Sequence, residues 1–369
     1  MSDKLLTIEE IKNLPIVFIV GKGRSGTSLL QTILDANPEV LTANESPFVI
    51  HLKQKYSTVN KWTTEKLDEF IIDLYTDVRF SFLWKINADN LKKLFNSYPL
   101  RQLDFSILCK LVYLSVSSPF PKEKTSLLAD KNPIYSFFIN ELTELFPNAK
   151  FIHIIRDYRD NVISTRKAFK IKNVARLAQS WKRHNRYIDY YKIKHPTLFY
   201  TLRYEDLVTN PEKYLSELFE FLTISFDSNV LNFHKTTRRI FNDERTNNDV
   251  MTGIVDKIHV NLLNPINTER IDKWKNELTI SEIEVIDYIT GDYAKKYNYF
   301  PSSNVQRLSY FFSANKSNLI LFTNYLINKL YYRLPMKVRD ISRAVSKKLY
   351  TKFGYFNKYN EIGAKYRKD

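Results

Sequence analysis

The chain has 369 residues, 44% hydrophobic and 26% charged, the composition of an ordinary globular protein, which excludes wholesale disorder. Its single cysteine, Cys109, excludes an internal disulfide and a thiolate-held zinc or iron–sulfur centre. The net charge of +16 is uneven: residues 301–369 hold 14 Lys and Arg against 3 Asp and Glu, leaving 42 against 37 for residues 1–300. The expectation is therefore a main domain over 1–300 and a basic, aromatic, helical extension over 301–369. No run approaches ~18 uninterrupted apolar residues, and residues 1–14 alternate charges without an apolar core. These features predict a reduced, cytoplasmic chain with neither a secretory leader nor a spanning helix.

The first strong pattern lies near the start. Ile16 to Val20 is a continuous apolar run after Pro15 and predicts a buried parallel strand over 15–20. Gly21, Gly23 and Gly26 follow, three of only seven glycines in the chain. Ser28 to Leu34 then has helical spacing, with Leu30, Ile33 and Leu34 on one side, and stops before Asn37-Pro38. Strand, glycine turn and helix present backbone N–H groups and a positive helix end to a phosphate. Three phosphate loops fit. Gly21, Gly23 and Gly26 satisfy the dinucleotide pattern, with Glu39 and Glu45 near the distance of its ribose acid. A Walker loop shares Gly21 and Gly26 but has lost its lysine, since Thr27-Ser28 follows directly. A loop for one 5′-phosphate carrying a transferable group would use Lys22, Arg24, Ser25, Thr27 and Ser28 as donors.

A second strand is expected over 39–43, and Glu45 lies just beyond it, where an open α/β sheet binds ligands. That makes Glu45 the first candidate for a general base, with His51 and His153 as rivals. His153 sits in an apolar strand and reads as a packed core histidine. Residues 44–125 are helical by pattern, with Leu67, Phe70, Ile71 and Leu74 on one side. Ser126 to Ala129 reads as a strand, and Asp130-Lys131-Asn132-Pro133 leaves it for a helix near Ile134, which aims Lys131 at the same crevice. Lys150 to Ile155 is another buried strand. Arg156 stands at its end and Ser164 inside the next helix, so a charged fork and a neutral donor can grip one phosphate. A fifth strand is expected over 197–202, followed by Tyr204.

Taken together, Pro15 to Leu30 resembles the 5′-phosphosulfate loop of sulfotransferases that use 3′-phosphoadenosine 5′-phosphosulfate (PAPS). Arg156 with Ser164 is similar to their 3′-phosphate signature. The spacing, with Ala129 to Pro133 between, most resembles the tyrosylprotein sulfotransferase branch and its bacterial relatives, over residues 15 to about 300. The resemblance implies an α/β fold, a nucleotide-kinase-like parallel sheet flanked by helices. It implies PAPS as donor, Glu45 as the base, Lys131 as helper at the leaving oxygen and Tyr204 as a nucleotide contact. Arg166 is a secondary partner for Arg156. A closing loop is expected within 235–270, which contains Asn247-Asn248-Asp249 and Asn264-Pro265. No carboxylate cluster has metal spacing, so metal-free chemistry is expected. The expected acceptor is a hydroxyl, on a glycan or glycolipid ahead of tyrosine or a phenol. The competing readings are a phosphate-loop kinase and a non-catalytic basic binder of membrane or nucleic acid; no nucleic acid partner is expected.

At the other end, Leu319, Phe322, Leu326 and Leu330 predict a helix over 319–332, ended by Pro335. Lys337, Arg339, Arg343, Lys347, Lys348, Lys352 and Lys358 follow, interleaved with Tyr350, Phe353, Tyr355 and Phe356. Two outcomes are open: residues 315–369 dock on the inner membrane face, or Leu319, Phe322 and Leu326 pack on the main domain or a second subunit.

Overall fold

Five short strands pair in parallel in the order β2-β3-β1-β4-β5: β1 Ile16–Val20, β2 Val40–Ala43, β3 Leu127–Lys131, β4 Lys150–Ile155 and β5 Phe199–Arg203. They form the sheet of a computed structural model that describes residues 5–43, 45–76, 80, 84–246, 260–334 and 338–339. The unbroken apolar runs are explained by burial on both faces. In β1 the alternation of side chains divides two cores. Ile16, Phe18 and Val20 enter the larger one, where Phe18 meets Tyr135, Phe146 and Phe151. Val17 and Ile19 enter the other, with Leu30, Ile33 and Leu34 of the helix Thr27–Asp35.

Helices Phe48–Tyr56, Thr64–Thr76, Ala88–Asn96 and Phe105–Leu114 lie in the span between β2 and β3. Leu67, Phe70, Ile71 and Leu74 are buried there, the side that the spacing indicates. A third core joins helices Tyr158–Phe169, Val174–Lys194 and Ile280–Ala294 around Tyr158, Trp181 and Trp274.

The chain turns from β1 toward β2 on one side and reaches β4 on the other. The carboxyl ends of β1 and β4 thus flank the point where strand order reverses, the crevice in which such sheets bind ligands. Register fixes the neighbours: Ile19 lies beside Lys131 and Ile152, and Ala43 beside Asp130.

Two expectations need correction. The third strand does not end at Ala129; pairing with β1 and β2 carries it through Asp130 and Lys131, and Pro133–Phe137 beyond it is a short 3₁₀ segment. The last helix begins at Leu308, eleven residues before the predicted start, and runs to Arg333. Tyr310 anchors its first turns, buried with its hydroxyl donating to Glu284 at 2.6 Å. Gln179 Nε2 donates to Asn318 at 3.2 Å, and Arg183 lies 4.9 Å from the Tyr325 ring, so this helix runs along Val174–Lys194. Asn247 to Asp249, Pro335 and every basic tail residue named above except Arg339 lie outside the described residues. Arg339 is buried and donates to the His51 carbonyl at 2.9 Å.

Candidate active site

The glycine loop is shaped by two positions that admit no side chain. Gly21 has φ +147°, and a Cβ there would sit 2.3 Å from the Ile154 carbonyl oxygen on β4. Gly26 has φ +94°, and its Cβ would fall 2.6 Å from Tyr204 Cδ2. Gly23 differs, since a Cβ would meet only Pro133, at 3.9 Å. Between them Arg24 adopts φ 72°, a left-handed conformation that costs a non-glycine residue on the order of 1–3 kcal/mol. Asn161 holds the loop from outside: its Nδ2 donates to the Gly23 carbonyl and to Ser25 Oγ, both at 3.0 Å.

The strain places Arg24 in a cationic cleft. Arg24 Nε donates to Ser164 Oγ at 3.3 Å, and Arg156 Nη1 donates to the Arg24 carbonyl at 3.4 Å. The Arg156 guanidinium lies 4.6 Å from the Tyr204 ring centroid, within cation–π range. Its other nitrogen donates to the Arg270 carbonyl, while its buried Nε has no hydrogen-bond partner. The Arg270 guanidinium donates to Asn261 Oδ1 at 2.7 Å. Thr27 and Ser28 complete the wall at the helix start, and Asn264 and Ile266 face them from the segment 260–267.

Electrostatics mark this as an anion site. Burial first, then the charges of Arg270 and Arg156, hold Arg24 below the usual arginine range. None of the three arginines is in an ion pair with a carboxylate among the described residues. Asp160, close to Arg156, spends its oxygens on the Asp272 and Trp274 amides, each at 2.9 Å. Guanidinium groups gathered without a carboxylate in direct ion pair are stabilised when an anion enters.

The chain belongs to the sulfotransferase family. The profile of that family matches residues 15–228, more than half the chain. The protein-tyrosine sulfotransferase of Drosophila melanogaster is 25% identical over 278 residues, 72% of this chain and 48% of that protein. The omega-hydroxy-beta-dihydromenaquinone-9 sulfotransferase Stf3 of Mycobacterium bovis is 27% identical over 257 residues, 56% of this chain and 62% of that one. The chain thus spans about half the length of the Drosophila relative. The sulfotransferase domain of the Synechococcus PCC 7002 olefin synthase has the same fold, with a TM-score of 0.50 and 21% identity over 77% of this chain and 94% of that domain.

Other candidate residues of this sulfotransferase-family chain fall into separate places. Arg24, Gly26, Thr27, Ser28, Arg156, Ser164 and Tyr204 meet at one cleft. Lys22 and Ser25, expected among the donors, direct their side chains elsewhere. Ser25 is buried and committed to Asn161. Lys22 lies toward His184, and desolvation lowers its ammonium to about 8. Glu45 and Lys131 form a second group at the ends of β2 and β3, with Lys131 Nζ 3.1 Å from Glu45 Oε2. Beneath them Asp130 accepts from Tyr113 Oη and Asn132 Nδ2, both at 2.5 Å, and burial raises its carboxyl to about 7. Asn132 Nδ2 also reaches the Ser46 carbonyl at 3.3 Å, tying the Glu45 turn to β3.

Of the rival bases, His153 is taken up in the core. His153 is fully buried against Asn185 at 2.9 Å, and desolvation lowers it to about 4. His51 is half-buried on the helix Phe48–Tyr56. Arg166 pairs with Glu282 at 2.7 Å and the Glu277 carbonyl at 3.0 Å, so it braces two helices rather than assisting Arg156. Arg270 is the cleft residue that the sequence reading missed. Its one signal was a basic side chain within the stretch expected to close the site. Among the described residues no His, Cys, Asp and Glu group is arranged to hold a metal ion.

Proposed function

We propose that this chain transfers the sulfuryl group of PAPS to an acceptor hydroxyl. The observation that supports this most is the meeting of Arg24, Arg156 and Arg270, without carboxylate partners, beside the glycine loop and Tyr204. The residues present suit a nucleotide with two separate anionic groups. The glycine loop, Arg24 and the helix start hold the 5′-phosphosulfate. Arg156, with its spare buried Nε, and Ser164 hold the 3′-phosphate, and Tyr204 lies against the nucleotide.

In the transfer the acceptor oxygen bonds to sulfur as the bond from sulfur to the 5′-phosphate oxygen breaks. Glu45 takes the acceptor's proton, and Lys131 with Arg24 meets the charge left on the phosphate oxygen. Little covalent work falls to the protein beyond positioning and charge, as in phosphoryl transfer, and the proposed reaction uses no metal. The acceptor is a hydroxyl on a glycan or glycolipid, reached from the cytoplasmic side of a membrane. Residues 1–300 carry the chemistry and residues 301–369 are an extension.

Titration with 3′,5′-ADP and with ATP tests the donor. Binding of 3′,5′-ADP at least tenfold tighter than ATP, without magnesium, is expected. Tighter, magnesium-dependent ATP binding would transfer the site to a kinase. Labelled donor offered to cell-envelope fractions tests the acceptor class.

A further inference from the structure

The outward side of the helix Leu308–Arg333 is apolar. Leu308, Phe312, Leu319, Phe322, Leu326 and Leu330 recur at steps of three, four and seven, which places them on one side of a helix. They are 71%, 62%, 63%, 46%, 40% and 61% exposed. The opposite side is spent on the body through Tyr310, Ser317 and Tyr325. At ~1.5 Å per residue the stripe is about 33 Å long, an exposed apolar row of the kind that marks an interaction surface.

Charge identifies the occupant. The helix has no Asp or Glu and carries Lys316, Lys329 and Arg333. From the body, Arg183 adds a guanidinium 5.6 Å from the Phe322 ring. Two copies joined along this stripe would bring like charges together with no carboxylate on the helix to offset them. A surface of anionic lipid supplies both an apolar layer for the stripe and negative headgroups for its cations. Among the described residues no helix is long and apolar enough to cross a membrane.

We propose that this stripe docks the chain on an anionic bilayer, with the helix lying in the plane of the surface. The inference stands apart from the sulfuryl-transfer reading, and its test uses no activity. The full chain is floated with vesicles of phosphatidylcholine containing phosphatidylglycerol, and with phosphatidylcholine alone. It is expected to float at least tenfold more with the anionic vesicles, and less as salt rises. The triple variant Leu319→Glu, Phe322→Glu, Leu326→Glu changes exposed positions, so its urea midpoint should match the parent while flotation drops at least tenfold. Equal flotation of parent and variant would overturn the proposal and place binding in the basic residues beyond 334. No flotation by the parent, with a dimer by light scattering that the variant lacks, would overturn it in favour of a second copy. No flotation by a monomeric parent would overturn it outright.

Discussion

Lys131 Nζ and Glu45 Oε2 lie 3.1 Å apart across 86 residues of sequence. The proposed leaving-group helper and the proposed base therefore hold each other in the free chain. Lys131 is nearly buried and Glu45 a third exposed, so the carboxylate is the partner with access to an incoming acceptor.

Glu45→Gln should keep donor affinity within about twofold while turnover falls about 10²–10⁴-fold, the usual cost of losing a positioned base. Lys131→Met should also lower turnover, and the double variant should lose less than the product of the two, because each removes the same ion pair. Isothermal titration with 3′,5′-ADP and single-turnover rates measure both. Near-normal turnover by Glu45→Gln would move the base elsewhere.

Arg156→Ala should abolish the preference for 3′,5′-ADP over 5′-AMP. A charged hydrogen bond is worth about 1.5–3 kcal/mol, so the loss should be about 10- to 150-fold in affinity for the bisphosphate alone. An unchanged preference would show that another group reads the 3′-phosphate. Arg270→Ala should weaken both nucleotides.

The glycines separate shape from contact. Gly26→Ala must adopt φ +94° and displace the Tyr204 ring, so it should lower stability by about 1–3 kcal/mol in urea melts and lose the nucleotide. Gly23→Ala meets nothing closer than 3.9 Å, so it should melt like the parent. Any defect it shows should be confined to donor binding.

His153 should make the fold acid-sensitive. Desolvation lowers it to about 4, below its ordinary 6.5, so the unfolded chain takes up a proton before the folded one. Its contribution is complete above pH 6.5 and is lost as pH falls toward 4, at about 1.4 kcal/mol per pH unit for a single group. Urea midpoints of the parent and His153→Gln at pH 7 and 4.5 should show the parent losing more. Parallel losses would assign the acid sensitivity to other groups.

Much of this was readable where sequence and local physics agree. The apolar runs at Ile16–Val20 and Lys150–Ile155 are strands because both faces are covered, and Gly21 and Gly26 lie where a Cβ would strike β4 or Tyr204. Asp130 and Lys131 are expected to leave the third strand, but Tyr113 from the helix Phe105–Leu114 and the nearby Asn132 donate to Asp130 and allow it to be buried in β3. Ser25 Oγ accepts from Asn161, 136 residues away, a partner no local pattern reveals. Arg270 was not legible for a similar reason: its place depends on the amides that Asp160 fixes after it and on Arg156 holding its carbonyl. The last helix was read too short because its first turns carry apolar residues on both sides, Tyr310 inward and Phe311 and Phe312 outward.

The adjacent side chains Asp160 and Asn161 serve two distant segments: one fastens the amides of Asp272 and Trp274, the other the carbonyl of Gly23 and the hydroxyl of Ser25. The floor and one wall of the cleft thus share a single hinge pin. The segment 260–267 hangs from Arg238, which is outside that pin, as well as from Arg270, which the pin helps to place. An engineer could therefore rewrite 260–267, which lines the cleft, and alter access to it while the 160–161 pin stays in place. A change at 160–161 would loosen floor and wall together.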